Sequence, residues 1–228
     1  MVLVVLSAIL IFGFFYAASK QAAVVPGKLQ FAGEKAYDFV RNGIARDSIG
    51  SRDFMKFVPY LTALFFFVLV NNLYGIVPFV QFPPMSRIGY VYGLAALTWV
   101  IYNGAGIHKH GTLGYLKLQS IPPGVHGPIL GLIVPLEFMS NILVRPVTLA
   151  LRLFANMFAG HLLLILFTLG GEYLLLQSGN LLYAPVGIIS LVLAVAISFL
   201  ELLIQFLQAY VFTLLTAMYI GGALVDEH

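Results

Sequence analysis

The sequence has no cysteine among its 228 residues and carries very little charge. Without cysteine there are no disulfides, thiolate metal sites or thiol chemistry. Charged residues make up 9% of the chain, against about 25% in soluble proteins, and 61% of the residues are hydrophobic. So few charges cannot cover the surface of a domain in water. The composition therefore predicts an integral membrane protein, and a net charge of +3 is too small to indicate nucleic-acid binding.

Long stretches without any charged residue show where the chain can cross a bilayer. They are residues 1–19, 57–86, 88–108, 173–200 and 202–225. Each can hold a spanning helix of about 20 residues. We predict helices near residues 2–18, 58–79, 88–107, 129–174 and 184–221. The last two exceed an upright crossing of about 30 Å, so they must tilt, break or protrude, and Pro135 and Pro146 mark possible breaks.

Basic residues predict how the chain is oriented. Seven lysines and arginines lie between Lys20 and Lys56, and the positive-inside rule places this segment in the cytoplasm. The N-terminus would then lie outside and the C-terminus inside. The first span lacks a preceding basic region, which favours a helix over a signal peptide. Apolar residues recur at helical spacing from Leu29 to Ile44 and predict an amphipathic helix on the inner leaflet, the alternative being a solvated linker.

The predicted fold is therefore one all-α integral membrane domain of about five membrane helices plus an interfacial amphipathic helix. Its segments are a first transmembrane helix over 1–19, a cytoplasmic-side segment over 20–56, a transmembrane hairpin over 57–108, and an antiparallel hairpin of long tilted helices over 127–222. We find no internal repeat and no phosphate-binding loop in the sequence.

Several ionisable residues lie in or near the apolar runs of the last two helices. They are Glu137, Arg145, Arg152, His161, Glu172 and Glu201. Such a residue at the centre of a spanning helix costs about 2.5 to 3.5 kcal/mol, and its presence predicts an ion path, a proton relay or a buried pair. Arg145 beside Pro146 and Glu172 beside Gly171 fit interfacial anchors. Arg152, His161 and Glu201 require another explanation.

The spacing of the polar residues predicts how the two long helices pair. In an antiparallel hairpin, two residues share a depth when their numbers add up to a constant. That total is 362 for His161 with Glu201, 361 for Asn156 with Gln205 and 360 for Arg152 with Gln208. Half of 361 is 180.5, which falls in the segment Ser178–Leu181, where Gly179 and Asn180 are turn-forming residues. The alternative is that each polar side chain merely satisfies a neighbour in a packed bundle.

The predicted pairing has a chemical meaning. Arg152 stays protonated even in lipid, whereas a buried glutamate and histidine can exchange protons. At about 1.5 Å per residue, His161 lies about 13 Å outward of Arg152 and Glu137 about 22 Å inward. A fixed cation between two clusters of ionisable groups would prevent a continuous proton wire through the membrane.

Three stretches resemble subunit a of the F-type ATP synthases. They are RPVTLALRLFANMFAGH from Arg145 to His161, ELLIQFLQAYVFTLLT from Glu201 to Thr216, and NLYGIVP from Asn72 to Pro78. Together with the five-span plan, the likeness covers most of the chain from about residue 28. The resemblance implies a non-catalytic stator subunit that couples proton flow to rotation of a c-ring and to ATP synthesis in other subunits.

The resemblance also implies roles for individual residues. Arg152 matches the arginine that faces the c-ring carboxylates and separates two half-channels. His161 and Glu201 match the outer, proton-access half-channel. Asn156 and Gln208 match polar positions near the arginine, and Gln205 belongs to the same polar face. Glu137 resembles the acid of the exit half-channel but stands one residue out of the usual spacing.

The implied partners are the c-ring, the peripheral-stalk b subunits, the remaining ATP synthase subunits and the lipid bilayer, with no cofactor, metal or nucleic acid. The implied location is the bacterial plasma membrane. A secondary transporter that binds an anion at Arg152 is the main rival, but it predicts inverted repeats that the sequence lacks. A purely structural scaffold would leave Arg152 without a purpose.

Overall fold

A computed structural model describes residues 1–20, 26–50, 53–77, 80, 82–120, 130–177 and 181–225. Within these residues the chain is helical and contains no strand. The α-helices are α1 (Val2–Ser19), α2 (Lys28–Val40), α3 (Asp47–Ile49), α4 (Phe54–Leu73), α5 (Ile88–Ser120), α6 (Leu130–Met139), α7 (Arg145–Glu172) and α8 (Ala184–Ala223). Short π-helical segments cover Arg41–Arg46, Ser140–Val144 and Tyr173–Gln177, and 3-10 turns cover Pro84–Ser86 and Leu181–Tyr183.

In the part of the chain that the structure describes, four helical stretches are long and apolar enough to cross a membrane. They are Val2–Ser19, Phe54–Leu73, Gly131–Gln177 and Ala184–Ala223. These stretches confirm the predicted all-α membrane fold and the two long C-terminal helices. The fifth predicted crossing, over 88–107, lies in α5, which is not among the four, so its crossing stays a prediction.

The predicted break in the first long helix is a change of helix type. The chain is continuously helical from Leu130, and the segment Ser140–Val144 is π-helical immediately before Arg145 and Pro146. Proline cannot donate the usual backbone hydrogen bond, and a π-turn accommodates that loss without ending the helix. Pro135 lies inside α6 and does not interrupt it.

Two helix boundaries differ from the prediction. Helix α4 ends at Leu73 rather than near 79, where the chain turns and Gly75 packs against Pro83 and Gln205; a Cβ at Gly75 would lie 3.3 Å from each. Helix α5 runs on to Ser120 but kinks at Gly111, whose φ of 73° suits glycine. Its second part folds back, so that the Tyr115 hydroxyl donates to Oδ1 of Asn103 at 2.9 Å.

The predicted amphipathic segment is helical as expected. It comprises α2 and the π-segment that follows, and its end is buried in protein: Val40, Ile44 and Ala45 have no exposed surface. These three side chains belong to the same hydrophobic core as Val58 and Ile220, on α4 and α8. The apolar face of the segment therefore packs partly on other helices, and its placement on the inner leaflet stays a prediction.

The long hairpin has the predicted antiparallel register. The Ser190 hydroxyl donates to the backbone oxygen of Phe167 at 2.8 Å. Gly171 and Gly187 allow α7 and α8 to approach closely, because a Cβ on Gly171 would lie 2.9 Å from Leu191 and 3.2 Å from the Gly187 oxygen. The two residue numbers in each of these contacting pairs add up to nearly the same total as in the predicted pairs. Of the turn predicted over 178–181, residues 178–180 lie outside the described residues.

The end of α8 offers a test of this packing. A Cβ on Gly221 would collide with the backbone oxygen of Ser48, whereas the space beside Gly222 is open. We expect Gly221→Val to destabilise the chain by about 1 to 3 kcal/mol, because backbone cannot give way as a flexible side chain can. Thermal unfolding in detergent, followed by fluorescence of the single tryptophan, Trp99, measures the effect. Gly222→Val is the control and should unfold at nearly the parental temperature; equal losses for both variants would contradict this packing.

Candidate functional site

Arg152 lies on an exposed face of α7. The residues that share this face at helical spacing are Thr148, Ala155 and Ala159, and all four are exposed. Among the described residues Arg152 makes no ion pair or hydrogen bond. Small side chains around a cation allow another helix to approach it closely. This face, which we call the Arg152 face, is therefore suited to a neighbour outside the chain.

Glu201 is buried, with only 2% of its surface exposed. Its Oε1 atom accepts a hydrogen bond from Nε2 of Gln205 at 3.4 Å, and Oε2 has no partner among the described residues. The side chain lies against α7, where a Cβ on Gly160 would be 3.7 Å from its carboxyl group. Glu201 therefore lies beside Gly160, the residue that precedes His161, as the predicted register requires.

The cluster of buried polar side chains that includes Glu201 and Gln205 extends to Asn72 on α4. Nδ2 of Asn72 is 3.5 Å from the backbone oxygen of Gln205, a long hydrogen bond, and Gly75 leaves room for the Gln205 amide. Both Asn72 and Gln205 are completely buried. Sequence reasoning missed this arrangement, because the distance along the chain from Asn72 to Gln205 gives no hint of contact. The only signal was the unusual pair of asparagines, Asn71 and Asn72, at the end of an apolar helix.

His161 lines a cavity of about 270 Å³ between α7 and the connection that leads into α5. The other lining residues are Phe82, Ser86, Arg87, Phe158, Leu162 and Ile165. The imidazole is partly buried, and its neighbour Gly160 contacts Glu201. The cavity therefore lies at the part of α7 where the preceding residue, Gly160, faces Glu201 on α8.

The remaining predicted residues lie around this group with fewer contacts. Gln208 is 8% exposed and Asn156 is partly buried. Within the described ranges no hydrogen bond joins Asn156 to Gln205 or Arg152 to Gln208, so the structure supports those two pairs only as neighbours in register. The amides on α8 face inward, whereas the guanidinium of Arg152 faces out of the hairpin.

Glu137 and Arg145 lie on the other side of Arg152. Glu137 is partly exposed on α6, before the π-segment that precedes Arg145. The guanidinium of Arg145 stacks over the ring of Tyr219 at 5.3 Å, and its role as an interfacial anchor stays a prediction. The described residues contain no group of three or more histidine and acidic side chains that could hold a metal ion.

The chemistry that is possible at this site depends on its titratable and charged side chains. A buried carboxyl and an imidazole can take up and release protons, while an arginine stays charged. Here Glu201 is buried against α7, His161 is partly buried beside the cavity, and the permanent cation is exposed on the Arg152 face. The site therefore combines a buried group that can bind a proton with an exposed cation that can attract an anion.

Comparisons with known proteins place the chain in one family. The family model described as ATP synthase A chain matches residues 1–221. The chain is 66% identical over its full length to ATP synthase subunit a of Nocardioides sp. strain JS614, covering 82% of that protein. It is 52% identical to the subunit a of Pseudarthrobacter chlorophenolicus, and 46% identical to that of Streptomyces lividans, again over its full length and over 85% and 80% of those proteins.

A family match over nearly the whole chain, together with relatives above 30% identity, is decisive. It confirms the resemblance that the three motifs indicated. The polar residues on α7 and α8 lie within the matched range. The chain belongs to the ATP synthase subunit a family.

Proposed function

We propose that this chain translocates protons as the stator subunit of an F-type ATP synthase, through two offset half-channels. The observation that carries the proposal is the separation of a buried acid from an exposed arginine. Glu201 lies inside the α7–α8 hairpin beside the His161 region, and Arg152 points away from it. A titratable group that is sealed from lipid and a cation that is presented to a partner are what a shuttle of protons to a rotor needs.

The outer half-channel would end at Glu201. Three buried oxygen atoms near one another accept no hydrogen bond from the described residues: Oε2 of Glu201, Oε1 of Gln205 and Oδ1 of Asn72. Buried acceptors of this kind are normally satisfied by ordered water. We propose that water links them and that the cavity at His161 joins this water to the outer aqueous phase.

The rotor would meet the chain at the Arg152 face. A c-ring carboxylate that has lost its proton is attracted by the guanidinium, which stabilises the charged form in a medium of low dielectric constant. A carboxylic acid that has just received a proton from the outer half-channel is neutral and can move into the lipid. Arg152 would thus keep the two half-channels apart while the ring turns by one step.

On the inner side, Glu137 is proposed to line the exit half-channel. It lies partly exposed on α6, inward of Arg152 by the orientation that the basic residues predict. Protons released there would enter the cytoplasm. Each charge that crosses is driven by about 2.3 kcal/mol per 100 mV, so several must combine to make one ATP.

The finer assignments follow from this mechanism. We propose that the chain catalyses no reaction itself and that its partners are the c-ring, the peripheral-stalk b subunits and the other ATP synthase subunits. It would reside in the bacterial plasma membrane with its N-terminus outside. The family supports a multi-pass subunit of a complex, and the positive-inside rule supports the orientation.

Disulfide cross-linking tests where the ring lies. The chain has no native cysteine, so single cysteines can be introduced without background. We expect Ala155→Cys, on the Arg152 face, to cross-link in membranes to a cysteine beside the c-ring carboxylate. Val100→Cys on α5 is the control, because that residue is also well exposed, at 58%, but lies on a different helix. Cross-linking of Val100→Cys and not of Ala155→Cys would refute the proposed interface.

A further inference from the structure

Arg87 lies on the wall of the cavity that contains His161. It belongs to the connection between α4 and α5, and it lines the cavity together with Phe82 and Ser86 opposite three apolar residues of α7. Its guanidinium stacks over the ring of Phe82 at 5.1 Å, which holds the charge near the cavity. Among the lining residues, Arg87 is the one with a permanent charge.

The residues beyond this wall include an imidazole and a carboxyl group, to which metal cations can bind. Imidazole and carboxylate are preferred ligands of zinc and of other first-row transition metals. His161 lines the cavity, and Glu201 lies behind it against Gly160 with one carboxyl oxygen without a hydrogen bond from the described residues. Water that delivers protons to this pair would deliver metal ions as well, unless something prevents it.

We propose that Arg87 is a specificity-determining residue of the outer half-channel: it keeps hydrated metal cations away from His161 and Glu201. The inference rests on the proposed function of these two residues. A divalent ion must bring two charges past the guanidinium, and the repulsion is stronger beside a wall of largely apolar side chains than in open water. A proton, in contrast, can move from one water molecule to the next and bind to an imidazole nitrogen. The guanidinium at the cavity therefore disfavours entry of metal ions more than entry of protons.

Inhibition by zinc tests this proposal. The complete ATP synthase is reconstituted into liposomes with its soluble sector outward, so that the outer face of this chain points into the lumen, where ZnSO4 is enclosed. ATP synthesis of each variant is compared with its own zinc-free rate. We expect Arg87→Gln to be half-inhibited at about one-tenth of the parental zinc concentration, because the repelling charge is lost. Arg87→Lys keeps the charge and should stay within about twofold of the parent.

Two further measurements test the electrostatic origin of the effect. Phe82→Leu removes the ring that holds the guanidinium, so zinc sensitivity should shift in the same direction by about threefold. Raising lumenal KCl from about 10 mM to about 150 mM shortens the Debye length from about 30 Å to about 8 Å and should narrow the difference between parent and Arg87→Gln.

Either of two results would overturn the proposal. One is equal zinc sensitivity of the parent and Arg87→Gln, and the other is no inhibition of either at any lumenal zinc concentration tested. If Ala155→Cys still cross-links to the ring in that case, the role of Arg87 fails while the proposed function stands. Loss of cross-linking would instead remove the proposed function.

Discussion

Replacing Arg152 with alanine should abolish ATP-driven proton pumping in inverted membrane vesicles while the complex stays assembled. The side chain is exposed and has no ion pair or hydrogen bond among the described residues, so its loss leaves no buried group without a partner. What disappears is the cation that stabilises the ionised c-ring carboxylate in lipid, where a charge costs several kcal/mol. Pumping should therefore fall to below about 1% of the parental rate, since each 1.4 kcal/mol is a factor of ten.

The matched control for Arg152→Ala is Arg145→Gln. Arg145 lies two turns earlier on the same helix and also carries a positive charge, but it stacks on Tyr219 within the chain. We expect this variant to keep pumping within about threefold of the parent, because a cation–π contact contributes about 0.5 to 2 kcal/mol to packing rather than to rotor binding. Quenching of a pH-sensitive acridine dye measures both variants. Pumping by Arg152→Ala at a rate comparable to that of Arg145→Gln would end the stator interpretation.

The helical hairpin could be predicted from the sequence because the residue numbers of its paired polar side chains follow a simple numerical rule. Residues that share a depth in an antiparallel pair have a constant total, and the contacts of Gly171 with Leu191 and of Gly160 with Glu201 obey nearly the same total as the predicted polar pairs. The helices predicted over 2–18, 129–174 and 184–221 likewise end within a few residues of the observed helical stretches Val2–Ser19, Gly131–Gln177 and Ala184–Ala223. Both signals depend only on spacing along one chain.

Contacts between distant segments carry no such signal. Nothing in the sequence shows that Asn72 approaches Gln205, or that the connection at Arg87 forms one wall of the cavity at His161. These contacts depend on how α4 and α5 pack against the α7–α8 hairpin. The kink at Gly111 was missed for a related reason, because a glycine in a helical membrane segment equally fits close packing of two helices. A helix that reverses on itself needs the tertiary contact of Tyr115 with Asn103 to be recognised.

Replacing Glu201 with glutamine should slow proton uptake from the outer side by about 100-fold, a large part of what a positioned acid–base group contributes. Glutamine has nearly the same shape, and the site beside Gly160 can hold it, so the α7–α8 packing should survive. The amide cannot bind and release a proton. ATP synthesis driven by an imposed pH difference, measured in liposomes, reports this step directly.

Asn156→Ala is the comparison for Glu201→Gln. Asn156 is partly buried on α7, four residues from Arg152, and makes no hydrogen bond to Gln205 among the described residues. Its amide cannot titrate, so its removal should change the rate by less than about fivefold, in line with one neutral hydrogen bond of about 1 kcal/mol. Glu201 is the acid nearest to the oxygens of Gln205 and Asn72 that accept no hydrogen bond from the described residues. The rate loss in Glu201→Gln should therefore be far larger than that in Asn156→Ala. Equal and small losses in the two variants would show that protons reach the ring without passing through Glu201.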